Sequence, residues 1–122
     1  IVAVIHSFKK PFLMHSCGCI FSIMDELIDT VGINAKHSNE DGIAPFSRWI
    51  EQYGDRIGNF GGIDTDVLCK ENLKEIKEYV TNVYKYSQGH GGIAIGSGNS
   101  IPEYVPPEGY LTMVETVRSL RD

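Results

Sequence analysis

One alternation constrains this chain more than any other feature. Apolar runs of strand length alternate four times with stretches whose apolar residues recur at helical spacing. Residues 11–16 read as the first strand. Residues 20–31 follow as a helix, with Ile20, Ile23, Met24, Leu27, Ile28 and Val31 on one face and Gly32 as its stop. Residues 33–37 read as the second strand. Pro45 then opens a helix carrying Phe46, Trp49, Ile50 and Tyr53 on one stripe. Residues 56–60 read as the third strand, closing in Gly61-Gly62-Ile63-Asp64. The strongest helix signal covers 71–86, where Leu73, Ile76, Val80 and Val83 oppose Glu71, Lys74, Glu75, Lys77 and Glu78. Ile93-Ala94-Ile95 is the fourth strand, and a last helix at about 108–120 carries Leu111, Val114 and Val117. Residues 1–9 read as the end of a helix, because the residue before Pro11 disfavours helix.

Strands that alternate with helices argue for parallel strands joined by crossover helices. The expected class is therefore α/β, with four parallel strand–helix units in one domain spanning residues 1–122. Four such units are half of a (β/α)8 barrel or a small open sheet. The apolar start at Ile1-Val2-Ala3-Val4-Ile5 favours the half-barrel, as a piece of a longer chain.

Charge narrows the function classes. The net charge of −5 offers no basic field to nucleic acid or an anionic membrane. No apolar run approaches the ~20 residues of a membrane span. Three cysteines, two of them only two positions apart, do not make a disulfide framework, and they fit a reducing, cytoplasmic setting.

In a β/α barrel, chemistry gathers at the C-terminal ends of the strands. Here those ends are polar. The first carries His15, Ser16 and Cys17; the second His37, Ser38, Glu40 and Asp41; the third Asp64 and Asp66; the fourth Ser97, Asn99 and Ser100. The strand starts are ordinary. His15 and Cys17 stand two apart on a strand, so both can face one spot, and imidazole with thiolate is a usual zinc donor pair. A zinc site needs at least a third ligand, with Cys19, His37, Glu40, Asp64 and Cys69 as candidates. His37, Ser97 and Asn99 are candidate substrate-binding residues, and Asp64 and Glu40 candidate catalytic ones. Each has a plainer role open to it. His15 can bond a backbone carbonyl, and His37 can be a supporting residue rather than a ligand. Asp64 can cap the next turn, and Glu40 can lie in a solvated loop. Gly96-Ser97-Gly98 can be no more than a turn, and Cys69 can be a small core residue.

These motifs resemble a known family. His15-Ser16-Cys17-Gly18, Tyr53-Gly54-Asp55-Arg56, Gly61-Gly62-Ile63-Asp64, Gly96-Ser97-Gly98-Asn99-Ser100-Ile101-Pro102 and Val105-Pro106-Pro107-Glu108 are similar to the C-terminal half of the uroporphyrinogen decarboxylase superfamily. That superfamily includes cobalamin-dependent methyltransferases that act with coenzyme M. The resemblance implies a (β/α)8 barrel of which this chain is the C-terminal part.

The methyltransferase branch implies zinc on His15 and Cys17, a thiol substrate, a methyl-corrinoid co-substrate and a corrinoid protein as partner. Its later cysteine falls here in Gly96-Ser97-Gly98, which leaves Cys19 or Cys69 as the third ligand. The decarboxylase branch implies a tetrapyrrole substrate in heme biosynthesis, no cofactor, and Asp64 orienting pyrrole N–H groups; Ser97 stands at the histidine of its Gly-His-Gly loop. The nearer match is the methyltransferase branch. A third expectation is non-catalytic. Both halves of a barrel line its mouth, so this half alone would be inactive, and its open strand edges would pair into a homo-oligomer.

Overall fold

The computed structural model describes residues 1–122. Four strands, β1 (Leu13–His15), β2 (Ala35–His37), β3 (Gly58–Ile63) and β4 (Ile93–Ser97), form one sheet in the order β1-β2-β3-β4. Every neighbouring pair is parallel. A helix, α1 (Val2–Ser7), precedes β1. Helical segments follow each strand: α2 (Met24–Glu26), α3 (Phe46–Tyr53), α4 (Thr65–Leu68) and α5 (Leu73–Ser87), and α6 (Pro107–Arg121). Sequential strand order with a crossover between successive strands is the arrangement of half a (β/α)8 barrel, one of the two that the alternation left open.

Two apolar clusters hold the helices to the sheet. In the first, Phe46, Trp49, Ile50 and Tyr53 of α3 pack with Met24, Ile33 and Ile57, and Phe21 stacks on Trp49 with ring centroids 4.1 Å apart. The second joins Ile63, Val67, Leu68, Ile76, Val80, Val105 and Met113. Val83 of α5 touches both, so the two clusters are continuous. The other sheet face is open along its outer strands: Leu13 is 47% exposed, and His15 and Ala94 are exposed too, whereas Ala35 between them is buried. That face is the lumen side of the half-barrel.

Several local expectations change. The helix at 20–31 is not regular: a 3-10 turn (Phe21–Ile23), the single turn α2 and a π turn (Leu27–Val31) succeed one another. Gly32 ends it at φ +81°, where its N–H and that of Ile33 both reach the Leu27 carbonyl. Arg56 lies in a turn before β3 and binds Asp25 at 2.5 Å and Asp29 at 2.9 Å, tying this segment to the β3 entrance. The strand itself starts two residues later and runs through Gly61 and Gly62. Both have positive φ, and a Cβ on Gly62 would lie 2.5 Å from Phe46. Glycine lets the strand pass there under the α3 aromatic ring. In α6 the buried residues are Gly109, Met113 and Thr116, whereas Leu111 is 52% exposed. A Cβ at Gly109 would run into the Leu68 carbonyl, so close approach of α4 sets the rotation of α6. The short α4 escaped the sequence reading because one helical turn leaves no periodicity.

Candidate functional site

The rim above the strand ends is held by backbone bonds before any side chain acts. Ser16 N–H donates to the His37 carbonyl at 2.8 Å, Asn39 N–H to Gly98 at 2.8 Å, and Gly98 N–H to Ile63 at 2.6 Å. The loops after all four strands are thereby stitched together. Gly98 is required at this crossing, since a Cβ there would collide with the Asn39 carbonyl.

Register then places the imidazoles. His15 and His37 are partners across β1 and β2, on the same lumen face. Their Nδ1 atoms lie 2.8 Å apart, and the Nε2 of His37 meets the Ser97 carbonyl at 3.0 Å. The Nε2 of His15 faces the Cys17 sulfur at 3.6 Å. Two further groups reach that sulfur: the Ser38 hydroxyl and the Asn99 amide donate to it at 3.7 Å each. Asn99 gives its other proton to Glu40 Oε1 at 3.0 Å. One cluster therefore gathers His15, Cys17, His37, Glu40 and Asn99 from all strand ends but the third, with Ser38 added.

The other candidates fall elsewhere. Ser97 turns its hydroxyl back onto the Asn99 carbonyl at 2.6 Å, shaping the loop, while its own carbonyl serves His37. Asp64 is the N-cap of α4, accepting from Asp66 N–H at 2.8 Å and from Asp41 N–H at 2.7 Å. Asp41 in turn accepts the Tyr79 hydroxyl. Burial and the neighbouring Asp41 carboxylate push the Tyr79 phenol well above its ordinary value. Cys69 is half-buried against the second apolar cluster, and Cys19 is exposed beyond Gly18. All three cysteines are free thiols. His90 lies by Asp55 at the strand starts, 3.6 Å from its carboxylate, away from the rim.

Lys36 is the residue that sequence reasoning missed. It alternates with His37 on β2, so it points into the helix layer, where it is fully buried. Its ammonium donates to the Ser38 carbonyl and lies 4.0 Å from the Trp49 ring centre. Desolvation lowers its pKa to about 8, against the opposing pull of nearby Cys17 and Glu40. The available signal was a lysine inside a strand that a parallel sheet buries on both faces.

Two donors at the rim, His15 and Cys17, suit a soft divalent metal in kind and in spacing. Zn–S and Zn–N bonds meeting at a tetrahedral angle span about 3.5 Å between sulfur and nitrogen, and His15 Nε2 to Cys17 Sγ is 3.6 Å. The pair fits as two ligands. No group of three or more His, Cys, Asp and Glu side chains is placed to hold a metal ion, so neither Cys19 nor Cys69 completes a triad.

Comparison with known proteins agrees with this architecture. A methyltransferase from Methanosarcina mazei has the same fold, with a TM-score of 0.72 at 20% sequence identity over 96% of this chain. The chain spans 33% of that protein's length. No curated protein sequence matches. No helix is long and apolar enough to cross a membrane. Residues 1–120 match the sequence model of the family described as uroporphyrinogen decarboxylase (URO-D), and the chain belongs to that family.

Proposed function

We propose that this chain carries the thiol-activating site of a methyltransferase within the uroporphyrinogen decarboxylase family. The observation that carries the reading is the 3.6 Å approach of His15 Nε2 to Cys17 Sγ at a barrel mouth. His15 and Cys17 would supply two ligands of a zinc ion, which when bound would lower the pKa of a substrate thiol and so favour its thiolate. The chain's own residues prepare that site. Ser38 and Asn99 donate to the Cys17 sulfur and fix its place at the rim. Glu40 fixes Asn99 in the orientation that lets it donate. Buried Lys36 adds positive charge beneath both Cys17 and Glu40. A substrate thiol and a methyl-corrinoid donor carried by a partner protein would meet at this rim.

Zinc analysis of the purified protein, with methyl transfer from methylcobalamin to a small thiol, tests the reading. Stoichiometric zinc that is lost in His15→Ala and Cys17→Ala supports it. Absence of zinc with unchanged activity in His15→Ala overturns it.

A second reading follows from the family's own description: decarboxylation of a tetrapyrrole without any metal. Asp64 would serve there, yet its two carboxylate oxygens already accept the Asp41 and Asp66 N–H groups. Turnover of uroporphyrinogen that falls in Asp64→Asn but not in His15→Ala would favour it.

A further inference from the structure

The His15–His37 contact carries more than proximity. A carbonyl oxygen can only accept, so the 3.0 Å contact with Ser97 requires the proton of His37 to sit on Nε2. In a neutral ring this makes Nδ1 of His37 an acceptor. The His15 Nδ1 opposite it, at 2.8 Å, must then be the donor. A neutral His15 protonated on Nδ1 keeps its lone pair on Nε2, the nitrogen that faces Cys17. The reverse order would require a charged His37 and would close Nε2 with a proton.

We infer that His37 is a positioning residue: it relays the direction of the Ser97 carbonyl into the tautomer of His15. The relay crosses three elements, from the end of β4 through β2 to β1. Register holds it, because His15 and His37 are strand partners. Metal-bound histidines commonly donate their second N–H to a carboxylate, carbonyl or water. Here another imidazole takes that place, and it can pass on the polarity of a backbone group too distant to touch His15. The tautomer assignment stands on geometry alone. Its consequence for metal binding rests on the zinc reading above.

Two measurements separate these layers. The first is nitrogen-15 NMR of the histidine rings in metal-free protein at a pH where they are neutral. The proton of His15 is expected on Nδ1 and that of His37 on Nε2. A His15 proton on Nε2 overturns the inference, whatever the metal does. The second is cobalt(II) titration followed by its thiolate charge-transfer absorption. His37→Phe keeps a ring but has no acceptor; it should lose the Nδ1–H signature of His15 and weaken cobalt binding about 10–100-fold. His37→Asn can present its amide oxygen where Nδ1 was, and should restore both. Unchanged tautomer and affinity in His37→Phe, or no recovery in a folded His37→Asn, overturns the role. If the wild-type protein binds no cobalt, the zinc reading fails while the NMR result still decides the relay.

Discussion

The Lys36 ammonium rests on the face of the Trp49 ring, 4.0 Å from its centre, with both side chains fully buried. A cation over an indole face is attracted to the ring's electron density, and more so when dry. This contact joins α3 to the outer face of β2, directly below the Ser38 carbonyl that Lys36 also binds.

Stability should therefore depend on pH through Lys36. Its folded pKa of about 8 lies below the ordinary 10.5. Between these values the unfolded chain binds the proton and the folded chain does not, so folding becomes more favourable as pH rises through that window. Urea unfolding of wild type and Lys36→Met from pH 7 to 10.5 checks this. The wild-type stability minus that of the variant should climb with pH; a flat difference would show that Lys36 is not desolvated.

Asn99 connects Cys17 to Glu40, and its loss should be felt at the sulfur. Asn99→Ala is expected to weaken cobalt(II) or zinc binding by roughly 10-fold, the lower end for an orienting group. Fold and urea midpoint should be nearly unchanged, because the side chain sits at the rim. Affinity equal to wild type would remove Asn99 from the site.

Gly62 should not tolerate a methyl group. At φ +95° an alanine is strained, and its Cβ would press on Phe46 at 2.5 Å. Gly62→Ala is expected to cost about 2–4 kcal/mol, from backbone strain together with overpacking. Gly42→Ala is the control, since nothing lies within 4 Å of its added Cβ. Equal denaturation midpoints for the two variants would contradict the packing described.

The lumen face and both sheet edges should drive association. β1 and β4 each have a neighbour on one side only, and Leu13 and Ala94 lie bare on the lumen side. Unpaired parallel edges accept further strands. A preparation of residues 1–122 is expected to sediment as a dimer or larger, and a monodisperse monomer across the micromolar range would contradict this. Charged substitution at Leu13 should shift any oligomer toward monomer.

Local pattern and long-range contact divide the explanation. The sequence alone determined the α/β class, the four strands and the parallel order, because alternation of two periodicities leaves few other ways to bury the apolar faces. It also marked His15 and Cys17 as a donor pair, but not for the right reason: β1 ends at His15, and Cys17 comes to within 3.6 Å of His15 Nε2 from the loop beyond the strand. It could not see that α6 rotates to bury Met113 rather than Leu111, because the cause is the Leu68 carbonyl against Gly109. It offered His37 and Asn99 as substrate-binding candidates and Glu40 as a catalytic one, not the positioning roles proposed for them. Those roles depend on contacts between residues far apart in the chain: His15 with His37, His37 with Ser97, and Asn99 with both Cys17 and Glu40. Lys36 shows the division most sharply. Its place on β2 is written in the sequence, but its buried charge exists only because α3 lays Trp49 over it.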